Sequence, residues 1–120
     1  MTKKIIAWPD SKGIREKISV EFEDVTFVNS FEEFKEKVSV DTLNIMDTFH
    51  LEGADKGFFA EEVEEFVASN SNINFHLFYC ENSEGMSGLN IGHIIKKNSN
   101  AKSYYPLPEI SLRLRLEKGI

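Results

Sequence analysis

The sequence predicts an α/β fold, a three-layer sandwich in which a five-stranded parallel sheet lies between helices. Three observations lead there. Short apolar runs bounded by turn residues recur at Lys4–Trp8, Val25–Val28, Thr42–Met46, Ile73–Cys80 and Lys102–Leu107. The stretches between them carry apolar residues at helical spacing. The two kinds alternate as β-α-β-α-β-α-β-α-β with one further segment, and that order implies parallel strands covered on both faces.

Each element has a local cause. Lys4–Trp8 is apolar and is stopped by Pro9-Asp10. Ser11 suits the cap of a helix over Lys12–Phe22, where Ile14, Ile18 and Phe22 recur every four residues. After the strand Val25–Val28, Ser30 and Glu33 have the spacing of a capping box. In that motif the serine oxygen accepts from the Glu33 amide and the glutamate reaches back to the Ser30 amide. Phe31, Phe34 and Val38 give this second helix its buried face. The strand Thr42–Met46 ends at Asp47, and a loop with Gly53 and Gly57 follows. Phe59–Ala68 is a helix with Phe59, Val63, Phe66 and Val67 on one side. Glu61, Glu62, Glu64 and Glu65 form its solvated side. Ile73–Cys80 is followed by a polar, glycine-containing loop over Glu81–Gly88 and a helix over Leu89–Lys97. Pro106 and Pro108 end the fifth strand.

The last segment reads both ways. Ile110, Leu112, Leu114 and Leu116 alternate with Ser111, Arg113, Arg115 and Glu117, a strand period. Leucine and arginine are good helix formers, and Pro108 suits a first helical turn. A helix is favoured. It would be apolar on two sides, one for the sheet and one for a partner.

The 120 residues are expected to form one domain, 1–120, with no output domain. Ten phenylalanines point to an aromatic core. Twenty acids against fourteen Lys+Arg give a net charge of −6, which argues against nucleic acid as a partner. Lys96, Lys97, Arg113 and Arg115 are too few to reverse that unless they cluster. The single cysteine, Cys80, excludes an internal disulfide and fits a reducing compartment. No signal peptide is expected, and no apolar run approaches the roughly 20 residues a membrane span needs. A cytoplasmic protein with no membrane contact is expected.

In open parallel sheets ligands sit beyond the carboxyl ends of the strands, where strand order switches. In a flavodoxin-like order, 2-1-3-4-5, strands one and three are neighbours. Asp10 and Asp47 would then face each other, and a Mg²⁺ ion would relieve their repulsion. The plainer reading is that Asp10 caps the first helix and Asp47 ends a strand.

The order, the length and the acid positions resemble a response-regulator receiver domain. The resemblance runs over Lys4-Ile5-Ile6-Ala7-Trp8-Pro9-Asp10 and Leu43-Asn44-Ile45-Met46-Asp47. It continues over Gly53-Ala54-Asp55-Lys56-Gly57 and Tyr104-Tyr105-Pro106-Leu107-Pro108. It implies Asp47 as phosphoacceptor, Asp10 as the second acid of the metal-binding pair, Tyr104 as the aromatic switch residue and Pro108 as the proline after the family's lysine. It also implies Mg²⁺ as cofactor and a place in two-component signalling. Three positions depart from the pattern. Pro9 replaces the first acid, Tyr79 or Cys80 stands where a hydroxyl residue belongs, and Leu107 stands in place of the lysine. The implied protein is therefore an atypical receiver that signals mainly by protein–protein contact. Its expected surface is the helix over Leu89–Lys97, the fifth strand and the final segment, binding a protein partner or a second copy.

A different chemistry competes. Trp8-Pro9-Asp10 resembles the general-acid loop of tyrosine phosphatases, and Cys80 follows a strand as a phosphatase or rhodanese nucleophile would. The phosphatase arginine six positions after the cysteine is Met86 here, followed by Ser87-Gly88. Without it the bidentate clamp on phosphate is lost, so such an anion-binding module would be inactive. The bland reading of Cys80 is a buried thiol. His50, His76 and His93 show no metal-ligand spacing, and His76, which alternates within strand four, is expected to be packed or at a sheet face.

Overall fold

The computed structural model describes residues 4–9, 12–48, 57–79, 95–97, 99 and 101–118. The elements are β1 (Lys4–Trp8), α1 (Lys12–Glu21), β2 (Val25–Phe27), α2 (Phe31–Lys37), β3 (Thr42–Asp47), α3 (Gly57–Ser69), β4 (Asn74–Tyr79), β5 (Ser103–Pro106) and α4 (Leu107–Lys118). Residues 95–97 are also helical. The five strands form one parallel sheet in the order β2-β1-β3-β4-β5. The expected α/β architecture and strand order are both present.

Two apolar clusters lie on opposite faces of the sheet and define the three layers. One gathers Trp8, Phe31, Phe34, Val63, Val67, Phe75 and Ile95, so α2, α3 and residues 95–97 cover this face. The other gathers Ile5, Ile14, Ile18, Ile45, Phe78, Ile110 and Leu114, so α1 and α4 cover the second. On the first face the aromatic rings pack against one another. Trp8 stacks on Phe31 with ring centres 5.8 Å apart, and Phe34 lies 5.4 Å from Trp8 and 6.1 Å from Phe75. Phe66 meets both Phe31 and Phe75 edge-on. Such pairs add about 0.5–1.5 kcal/mol each beyond the area they bury.

The capping box forms with one change of partner. Ser30 Oγ accepts from the Glu33 amide at 3.1 Å, as expected. Glu33 Oε1 accepts instead from the Asn29 amide at 2.9 Å, one residue before the expected one. The extended Ser30 backbone leaves the Asn29 N–H in reach of the carboxylate.

The final segment is a helix that begins directly after β5. Pro108 occupies its first turn, where a missing N–H costs nothing, and Glu109 faces the positive end of the dipole. Leu107 is therefore the first helical residue and packs with the α1 cluster rather than ending a strand. The two-sided character expected of this helix is present. Ile110 and Leu114 are fully buried, while Leu112 and Leu116 are 61% and 70% exposed. Gly57, expected in a loop, opens α3.

Candidate functional site

Because all strands are parallel, Trp8, Asp47, Tyr79 and Pro106 end them on one edge of the sheet. β1 and β3 are neighbours, with Trp8 in register with Met46, so the end of β1 lies beside Asp47. Asp47 and Thr48 are both fully buried. Thr48 Oγ1 lies 3.4 Å from the Phe78 carbonyl oxygen and 3.4 Å from the Tyr104 hydroxyl. Tyr104 points into the α2–α3 side, and its ring centre is 5.2 Å from that of Tyr79. The structure thus joins Tyr79, Tyr104 and the residue after Asp47. Leu107 is buried among apolar side chains and brings no charge to this edge.

Asp10 and Cys80 lie outside the described residues, as do Gly53–Lys56, His50, His93 and the segment 81–88 with Met86. The Asp10–Asp47 pair and a Mg²⁺ ion between its members are therefore not placed. Among the described residues, no three His, Cys, Asp or Glu side chains converge as a metal site. Trp8 is a core residue stacked on Phe31.

The second notable region is the face formed by β5 and α4. Tyr105, Glu109, Leu112, Arg113, Leu116 and Glu117 line an open groove of about 630 Å³. The Arg113 guanidinium lies 4.9 Å over the Tyr105 ring, and its Nη2 donates to the Tyr105 hydroxyl at 3.4 Å. Arg115 turns the other way, 5.9 Å from the Phe22 ring after α1. The two arginines therefore do not make one basic patch, because the helix turns them to opposite sides.

Beneath this face lies a polar cluster that the sequence did not reveal. His76 on β4 is fully buried. Its Nδ1 is 2.8 Å from Ser103 Oγ on the neighbouring β5. Its Nε2 is 3.3 Å from Glu117 Oε2 on the last turns of α4, without the alignment of a hydrogen bond. The carboxylate favours the tautomer with its proton on Nε2, so Nδ1 accepts from the Ser103 hydroxyl. The residue types match a hydrolase triad, but Ser103 is 1% exposed and no substrate reaches its Oγ. The cluster ties α4 to the sheet. His76 was expected to be packed or at a sheet face, and it is packed. Its partners depend on the register His76↔Ser103.

Burial holds the His76 pKa below its ordinary 6.5; the Glu117 carboxylate opposes this, and Arg113 and Lys102 add to it. The unfolded chain then takes up the proton more readily than the folded one. Stability is fully present above about pH 6.5 and falls as the pH drops from there toward the folded-state pKa. Melting at about pH 5.5 should come at a lower temperature than at about pH 7.5. His76→Gln should reduce that difference, and an unchanged pH slope in the variant would refute the assignment.

Compared with protein-family models, with curated proteins and with solved structures, the chain matches none. Among the described residues, no helix is long and apolar enough to cross a membrane.

Proposed function

We propose that this protein is an atypical receiver-like signalling domain that works mainly by protein–protein contact through the face of β5 and α4. One observation carries the reading. α4 buries Leu107, Ile110 and Leu114 against the sheet, yet presents Leu112 and Leu116 one turn apart to solvent beside an open groove. Scattered apolar residues are ordinary on a surface, but a paired set lining a groove marks a contact site. Leu107 in the lysine position agrees with signalling by binding, because an aliphatic side chain cannot read a phosphoryl charge. The reading is tested by photo-cross-linking in cells from position 112 of the full chain, with position 20 on α1 as the comparison.

A second reading keeps Asp47 as a phosphoacceptor. It is favoured by the place of Asp47 at the end of the central strand, one residue before the Thr48–Tyr104 contact. Asp47 is fully buried, so this reading requires the carboxylate to become exposed; it would then attack the phosphorus of a phosphohistidine or a small phosphodonor and displace the leaving group. Asp10 and Asp47 would hold a Mg²⁺ ion that neutralises the charge. Beryllofluoride with Mg²⁺ should then shift the amide resonances of Thr48 and Tyr104, and Asp47→Asn should abolish the shift. Identical spectra with and without the analogue would remove this reading.

A further inference from the structure

We propose that His76, Ser103 and Glu117 form an acid-sensitive latch, which holds the last turn of α4 on the sheet and releases it as the pH falls. The inference stands whether or not the β5–α4 face binds protein. It rests on where the cluster sits. Leu114 is fully buried, while Arg115, Leu116 and Glu117 after it are exposed. Arg115 ties this turn to the Phe22 ring, 5.9 Å away. Glu117 ties it to the sheet, with Oε2 3.3 Å from His76 Nε2 on β4.

The surroundings of His76 suit a neutral ring. On β5, Ser103 Oγ lies 2.8 Å from Nδ1, with Lys102 just before it in the chain. From α4 come Glu117 and, one turn earlier, Arg113. β3 sets Ile45 beside His76, and the α1 residues turned to this face, Ile14 and Ile18, are apolar. A second proton, on Nδ1, would meet the hydroxyl proton of Ser103, which would then have to turn away and lose its acceptor. The charge would also be cut off from water. Glu117 favours that charge, while Arg113 and Lys102 oppose it. Lifting the last turn carries Glu117 off Nε2 and lets water reach the ring. The solvated imidazole takes its proton near pH 6.5, its ordinary value. Below that pH the proton favours the lifted form by up to about tenfold per pH unit. Ile110 and Leu114 keep the rest of α4 on the sheet.

Hydrogen exchange of the full chain tests this, with rates at about pH 7.5 and about pH 5.5 corrected for intrinsic exchange. The amides of residues 115–117 should lose protection by about tenfold at the lower pH. Low urea should hardly change their exchange, because lifting one turn exposes little surface, whereas amides of β1 and β3 should respond steeply. His76→Gln takes up no proton and should remove the acid response at 115–117. Glu117→Gln alters an exposed side chain, so the variant folds, and it should lower protection at 115–117 already at about pH 7.5. Equal protection at the two pH values, or greater protection at the lower one, would overturn the latch. A loss at 115–117 with the urea dependence of β1 would also overturn it, because the whole chain would then be unfolding. An acid response that persists in His76→Gln would do the same, as would Glu117→Gln with wild-type protection at about pH 7.5.

Discussion

Phe34→Ala is expected to lower the free energy of unfolding by about 3–5 kcal/mol, the range for truncating a buried phenylalanine. Phe34 is fully buried and lies between Trp8 on β1 and Phe75 on β4. Its ring joins α2 to two strands at once, and alanine would leave a cavity that neighbouring rings cannot fill without breaking their own contacts. A small domain has only about 5–15 kcal/mol in total. Urea unfolding followed by the fluorescence of Trp8, the one tryptophan, reads the change. Val20→Ala, at an 87% exposed position on α1, should change stability by no more than about 0.5 kcal/mol. Equal effects at the two positions would contradict the packing described for this face.

Ile110→Ala is expected to cost about 2–5 kcal/mol on the opposite face. Ile110 is fully buried and packs in the cluster with Ile5, Ala7 and Leu114. It is one of the side chains that hold α4 to the sheet, together with Leu107, Leu114 and the Glu117–His76 contact. Loosening α4 also disperses Leu112, Arg113 and Leu116, so the variant should lose binding together with stability. Hydrogen exchange should show α4 amides exposed earlier than those of β1 and β3. Unchanged protection of α4 would show that Ile110 does not anchor it.

Most of the fold was legible because its causes are local. The alternation of apolar runs with helical stripes gave the parallel sheet, and Ser30 with Glu33 marked the start of α2. The C-terminal segment was harder, since Ile110, Leu112, Leu114 and Leu116 have a strand period. The helix resolves it by turning Ile110 and Leu114 to the sheet and Leu112 and Leu116 to solvent.

The polar contacts were not legible, because they depend on register across the sheet. His76 meets Ser103, 27 residues away, and Thr48 meets Tyr104, 56 residues away. No spacing rule connects such positions. The complete burial of Asp47 was also hidden, since it depends on how β3 sits between β1 and β4.

The proposed role of the β5–α4 face is contact with another protein. Its most direct test is the photo-cross-linking comparison, with the reactive side chain placed at Leu112 in one version and at Val20 in the other. Both positions are exposed, on α4 and α1 respectively. A discrete product from position 112 and none from position 20 is expected. Products from both positions alike, or from position 20 alone, would contradict it.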